Sequence, residues 1–241
     1  MNSSLKIFCT ILLINSLLVA SVSRSIAGLL ASGYEATYEV LHNEFYLGDT
    51  VRSLKKSANG GWLYRSHTEP KGVASAFVAD IIDESSTIQQ IGGGVRPTSY
   101  SYHQHGGKKE TKFNLTFDWK AGTLSNTHNK QTSTLKAGTH DLLSFQLQLM
   151  QDIQAGKKSV NYTIADKKRV DTYKLQLTET EEIETNIKTF RAVKLVSNKI
   201  RNKMQFIIWC APELDYLPVK VMKIEEDGDE SVLLLKSAKP N

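Results

Sequence analysis

Two histidines separated by one residue, in His103-Gln104-His105, have the spacing in this sequence best suited to hold a metal ion. On a β-strand, side chains two apart point to the same face, so both imidazoles could reach one ion. A zinc-type site would need a third ligand, for which His128 on a nearby strand is the obvious choice. The pair stands directly before Gly106-Gly107, a hairpin-tip signal that leaves histidines exposed. The expectation is therefore no metal site, with His103 and His105 as its weak candidates, and no cofactor.

Nucleophilic chemistry has less to work with. Ser53-Leu54-Lys55-Lys56 and Ser133-Thr134-Leu135-Lys136 both match S-x-x-K. That spacing serves acyl-enzymes because one helical turn brings Lys to Ser. Here the flanks read as strand or loop, which turns the two side chains apart. The sequence has no G-x-S-x-G, no phosphate-binding glycine loop and no H-E-x-x-H. Asp118, Asp141 and Ser144 could suggest acid–base work. Asp141 is more simply a helix-start residue stabilised by exposed N–H groups, and Asp118 a strand-end turn former. Glu84 lies in the polar stretch Asp83-Glu84-Ser85-Ser86, expected to bend a strand. No catalytic residue follows from these patterns, so an enzyme is not the expected reading.

Binding chemistry has more support. Leu142, Leu143, Phe145, Leu147, Leu149, Met150 and Ile153 follow helical spacing, with a narrow polar stripe of Ser144, Gln148 and Gln151. Thr139 or Asp141 can cap the start and Gly156 can close the end. So wide an apolar surface predicts one long helix, from about Thr139 to Ala155, largely buried against the concave face of a curved sheet. Trp209, Pro212, Leu214, Tyr216, Leu217 and Pro218 form an aromatic-proline corner between two strands. The expected ligand-lining residues are Tyr100, Tyr102, Trp119, Leu142, Phe145, Leu149, Trp209 and Tyr216, around an apolar pocket.

The elements that must position them are mostly strands. Period-two alternation runs through Tyr34–Val40, Thr98–Tyr102, Lys112–Phe117, Tyr173–Leu177, Phe190–Leu195 and Val219–Ile224. Such alternation means sheets with one packed face and one wet face. Turn signals punctuate them at Asn59-Gly60-Gly61, Gly92-Gly93-Gly94, Gly106-Gly107, Ala121-Gly122 and Asp227-Gly228. A short helical turn is expected near Val73 to Phe77. No repeat or linker divides the chain. The fold class expected is all-β and mainly antiparallel, a curved sheet or partly open β-barrel or roll wrapped around one long buried helix. Residues 28–241 form one domain.

The N-terminus reads as a secretory signal peptide over residues 1–27. Lys6 supplies a positive start, an apolar run extends from Ile7 to Val22, and Ser25-Ile26-Ala27 offers small residues before a cleavage ahead of Gly28. No other apolar run reaches membrane-spanning length. The expected location is the periplasm. Loss of the leader removes Cys9 and leaves Cys210, which alone forms no internal disulfide and suits a buried thiol. The whole chain carries a formal charge of +5, and removing Lys6 and Arg24 lowers it to about +3. Lysine pairs at Lys55-Lys56, Lys108-Lys109 and Lys157-Lys158 read as solvated turns and guarded strand edges. No interleaved aromatic-basic motif points to nucleic acid.

The same residues carry a family resemblance. In order they are Tyr34-x-Ala36-x-Tyr38, Arg96-Pro97-x-x-Tyr100-x-Tyr102, Phe117-Asp118-Trp119, Gly138-Thr139-x-Asp141-x-x-Ser144 and Glu184-Thr185. Trp209-x-Ala211-Pro212-Glu213-Leu214-x-Tyr216-Leu217-Pro218-Val219 is the last and most specific. From Tyr34 nearly to its end the chain resembles the bacterial domain-of-unknown-function family 3108 (DUF3108). The resemblance implies an exported β-rich envelope protein of a Gram-negative bacterium, and it brings no established activity. The function expected is a non-enzymatic binding or carrier protein of the cell envelope, with a hydrophobic small molecule or lipid as partner. A structural or interaction module is the alternative, and a hydrolase the less favoured third reading.

Overall fold

A computed structural model describes residues 29–58, 60–198 and 203–241. The signal peptide and its cleavage point lie outside the described residues. Among the described residues, fifteen strands form one sheet. They are β1 (Tyr34–His42), β2 (Phe45–Lys56), β3 (Trp62–Pro70), β4 (Ile81–Ile91), β5 (Gly94–His105), β6 (Thr111–Asp118), β7 (Thr123–Asn126), β8 (Gln131–Thr134) and β9 (Thr139–His140), followed by β10 (Ser159–Ala165), β11 (Val170–Glu184), β12 (Thr189–Ser197), β13 (Gln205–Ala211), β14 (Leu217–Ile224) and β15 (Glu230–Pro240). A four-residue helix, α1 (Leu29–Ser32), precedes the sheet, and α2 (Ser144–Gln154) interrupts it.

The spatial order is β8-β7-β6-β5-β4-β3-β2-β1-β15-β14-β13-β12-β11-β10-β9. The first and last strands therefore pair at the centre, with Tyr34 opposite Pro240, and the chain meanders outward in both directions. All pairings are antiparallel except β9 with β10. The result is an open, antiparallel, barrel-like sheet.

Alternation places Tyr34, Ala36 and Tyr38 of β1, Leu54 of β2, Tyr64 of β3 and Phe113, Leu115 and Phe117 of β6 in the core. The helix lies against β5 and β10 and divides the apolar interior. Leu147 and Met150 enter one cluster with Tyr100 and Leu143. Leu149 and Ile153 enter a second with Tyr162, Leu175, Leu195, Ile208 and Cys210. Each such buried side chain contributes about 2 kcal/mol of hydrophobic stabilisation.

The long helix expected from the spacing is corrected to one short helix of 11 residues, Ser144–Gln154. Thr139 and His140 are taken by the sheet, where they pair in parallel with Thr163 and Ile164. Asp141 then starts the turn. Its Oδ1 accepts the backbone N–H groups of Leu143 and Ser144, both at 2.8 Å, and Ser144 Oγ accepts the Asp141 N–H at 3.0 Å. This reciprocal cap satisfies donors that a helix start would otherwise strand. Within the polar stripe, Gln148 is pinned to the sheet: its Oε1 accepts the Val95 N–H of β5 at 2.8 Å.

Other local expectations are met closely. Asp118 Oδ1 accepts the N–H groups of Lys120 and Ala121, closing the turn after β6. A 3₁₀ turn spans Gly72–Ala76. The corner after β13 contains a second, Pro212–Leu214, followed by Asp215 and Tyr216 at positive φ. The stretch Asp83–Ser86 is expected to bend a strand. It lies inside β4, with Ser86 turned to the interior, and a bulge follows between Thr87 and Ile88.

Candidate functional site

Between α2 and the inner face of the C-terminal half of the sheet lies a cavity of about 310 Å³. Its walls are almost entirely apolar. The helix and its lead-in contribute Leu142, Phe145 and Leu149, and the strands contribute Ile164, Ile208 and Val221 among others. Ile164 faces inward with Val160 and Tyr162, which share its parity in β10.

The polar residues in the lining are Arg52, Glu84, Gln146, Ser197, Lys223 and Ser231. Arg52 is 8 % exposed, and its Nη1 donates to Gln146 Oε1 at 2.7 Å. Gln146 Nε2 is tied back to the Leu142 carbonyl at 2.7 Å. The Arg52 guanidinium lies 5.1 Å from the Tyr38 ring centre, and its buried Nε has no hydrogen-bond partner. Glu84 accepts the Tyr100 hydroxyl at 2.5 Å. Burial pushes the Glu84 carboxyl above its ordinary value, against the Tyr100 hydrogen bond and the Arg52 charge, which lower it. A guanidinium stays protonated in such surroundings. The cavity thus holds a buried positive charge at Arg52 beside the Glu84 carboxyl, and burying charge is costly.

Of the eight expected lining residues, Leu142, Phe145 and Leu149 border this cavity. Tyr100 touches it through Glu84. Tyr102 instead stacks on Phe113 at 5.2 Å. Trp119 donates Nε1 to the Pro97 carbonyl at 2.6 Å, lies under Arg96, and borders a separate hollow with Val95 and Thr139. Trp209 lies one residue out of phase with the cavity-lining Ile208. Its Nε1 donates to Glu181 at 2.6 Å, and the Lys194 and Lys220 ammonium groups lie over its ring. Tyr216 packs against both apolar clusters at the corner. Sequence reasoning missed Arg52. The signal was a charged residue sharing the inward parity of Thr50 and Leu54.

The histidines are arranged differently from the expected trio. His103 and His105 stack at 4.6 Å, but the His128 ring meets the edge of Phe113, at 6.3 Å. The third group beside the pair is Asp83 of β4.

A fifteen-stranded antiparallel roll, open at its edges and enclosing a short capped helix beside an apolar cavity, defines the class of protein. Sequence comparison then gives the family. The DUF3108 profile, described as a protein of unknown function, matches residues 33–235, and the chain belongs to that family. No curated protein matches it by sequence. Among solved structures it is similar to a β-barrel-like DUF1849 protein from Brucella abortus, at 12% identity and TM-score 0.59, over 87% of this chain and 98% of that one. A candidate lipoprotein from Parabacteroides distasonis matches at 11% identity and TM-score 0.33, over 86% and 95% of the two chains. MucB, solved in complex with MucA(peri), matches at 10% identity and TM-score 0.18, over 87% and 93%. The first likeness supports the fold alone. No helix among the described residues is long and apolar enough to cross a membrane.

Proposed function

We propose that this chain is an exported, non-enzymatic binding or carrier protein of the cell envelope, acting in the periplasm and holding a hydrophobic small molecule or lipid. The observation that carries the reading is the cavity of about 310 Å³, apolar along its walls and charged at Arg52. Its size lies at the small end of ligand sites, and its lining matches their usual chemistry. An amphiphile would lay its chain along Leu149, Ile208 and Val221 and set an anionic head against Arg52. The hydrolase reading loses its strongest carboxylate to structure, since Asp141 serves the helix cap and accepts Ser86 Oγ at 2.7 Å.

The test is mass spectrometry of small molecules retained by protein purified from its native periplasm, paired with titration of a fluorescent fatty acid. A retained amphiphile and saturable binding, weakened at least tenfold by the cavity-filling Val221→Phe, support the proposal. An empty protein with no saturable binding, or a Val221→Phe variant that binds as well, overturns it.

One observation favours the interaction-module reading. Phe45, Val73 and Phe77 are exposed at 75, 84 and 85 %, unusually open for large apolar side chains. Loss of a co-purifying envelope protein on changing Phe77 to Ser, with fatty-acid binding absent from the parent chain, would select that reading.

A further inference from the structure

His67, Asp83, His103 and His105 lie on three adjacent strands of the outer face, far in sequence but matched in register. His67 of β3 pairs with Asp83 of β4, and Asp83 pairs with His103 of β5. His105 lies two residues beyond His103 and so shares its face. Ser66, Tyr64 and Tyr100 occupy the opposite parity and point into the core, which leaves the histidine face outward. The four side chains are 30 to 48 % exposed, within reach of an ion from solvent.

Asp83 is the hub. Its Oδ1 lies 2.7 Å from His67 Nδ1 and its Oδ2 lies 2.9 Å from His105 Nε2. The His103 ring stacks on His105 at 4.6 Å, and its Nε2 is 2.7 Å from Glu110 Oε1. One ligand atom from each of Asp83, His103 and His105 lies within 4.8 Å of the other two. Zinc bonds of about 2.0–2.2 Å in tetrahedral array need ligand separations of roughly 3.3–3.5 Å. Small side-chain rotations on fixed strands span that difference.

We propose that Asp83, His103 and His105 form a binding site for a divalent transition-metal ion of the zinc type, with a fourth position open to solvent. Two imidazoles and one carboxylate are a ligand set that zinc accepts, and three protein ligands with an open position define a non-structural site. His67 bonds the carboxylate oxygen opposite the one near His105, and so fixes the orientation of Asp83. Glu110 does the same for the His103 ring. Such supporting bonds typically carry 10–100-fold in metal affinity. The site is independent of the apolar cavity, which opens on the other face of the sheet.

The test is calorimetric titration of the metal-free full chain with Zn²⁺, backed by the visible absorption of bound Co²⁺. One equivalent of ion per chain is expected, with affinity falling at least tenfold in both Asp83→Asn and His105→Ala, and about tenfold in His67→Ala. His128→Ala should bind as the parent does, because that ring lies against Phe113. The absence of saturable one-to-one binding overturns the proposal, as does binding that survives Asp83→Asn and His105→Ala together. Far-ultraviolet circular dichroism of each variant, unchanged from the parent, separates lost ligation from lost folding.

Discussion

Replacing Asp141 tests how the helix is held against the sheet and thereby how the cavity wall is set. The carboxylate accepts three hydrogen bonds: from the N–H groups of Leu143 and Ser144 and from Ser86 Oγ of β4. Asp141, Ser144 and Ser86 are fully buried, so water cannot replace a lost partner. Asp141→Ala removes a helix cap, at about 1 kcal/mol. It also strands buried donors at about 1–3 kcal/mol each, less whatever the Ser86 hydroxyl recovers by turning. A loss of about 3–5 kcal/mol is expected. Asp141→Asn keeps an acceptor for both N–H groups, and its amide can donate to Ser86 Oγ. It also removes a carboxyl that burial pushes above its ordinary value, against the hydrogen bonds from Ser144, Ser86 and Leu143 that lower it. Asp141→Asn should therefore cost under about 1 kcal/mol. Urea titration at pH 7 reads both values, provided the slope is unchanged between variants. If Asp141→Ala unfolds within about 0.5 kcal/mol of the parent, the cap does not anchor the helix. If Asp141→Asn is as damaging as Asp141→Ala, the negative charge matters and the hydrogen-bond account fails.

Burial lowers the His140 imidazole from its ordinary 6.5 to about 4, with the Asp152 charge opposing weakly. The unfolded chain then binds the extra proton first as pH falls, so stability should be full above about 6.5 and drop by at most about 3 kcal/mol toward pH 4. Urea midpoints across that range, set against His140→Phe, should show the variant with the flatter profile. Burial also pushes the Cys210 thiol far above its ordinary value, so a thiol reagent should label the native protein slowly and the urea-unfolded chain at once. Rapid labelling at neutral pH would contradict the packing around β13. In β2, a Cβ on Gly48 would fall on the Glu69 carbonyl oxygen of β3. Gly48→Ala should cost 1–3 kcal/mol or more because backbone rather than a flexible side chain must yield. An unchanged thermal midpoint would contradict the close approach of those two strands.

The strands were legible because one face is wet and one packed, so period two survives in Tyr34–Val40 and Lys112–Phe117. Their register was not legible. Nothing local in Tyr34 or Pro240 announces that the chain's first and last strands pair at the centre of the sheet. The helix start was legible in chemistry but misplaced in position, since Thr139-His140 satisfies both a helix approach and a two-residue parallel strand, and only the partner β10 decides. The same distance problem hid the Asp83 partner of His105. Residues 22 apart meet only once the hairpin of β4 and β5 is in register. The cavity's apolar wall was legible at Leu142, Phe145 and Leu149, because helical spacing shows which side is greasy. Trp209 shows the limit of that approach, since a one-residue phase step in β13 put it on the face opposite Ile208.

Arg52 brings stability and binding into opposition. Its Nη1 has a neutral partner in Gln146, its Nε has none, and the nearby Glu84 carboxyl is pushed toward its neutral form. Desolvating a buried guanidinium is costly, and an apolar replacement of similar length recovers that cost, offset by the Gln146 Oε1 left without its donor. Methionine matches the length of the Arg52 stem and fills irregular space. If the guanidinium is there to meet an anionic head, Arg52→Met should hold or raise the urea midpoint while weakening a fluorescent fatty acid by at least tenfold. A neutral fluorescent alcohol of the same chain length should lose far less, because only the head contact is removed. A variant that unfolds more easily by several kcal/mol and binds both probes equally well would instead make Arg52 a purely structural donor to Gln146. The two outcomes move in opposite directions in both measurements, so one pair of titrations decides what the charge is for.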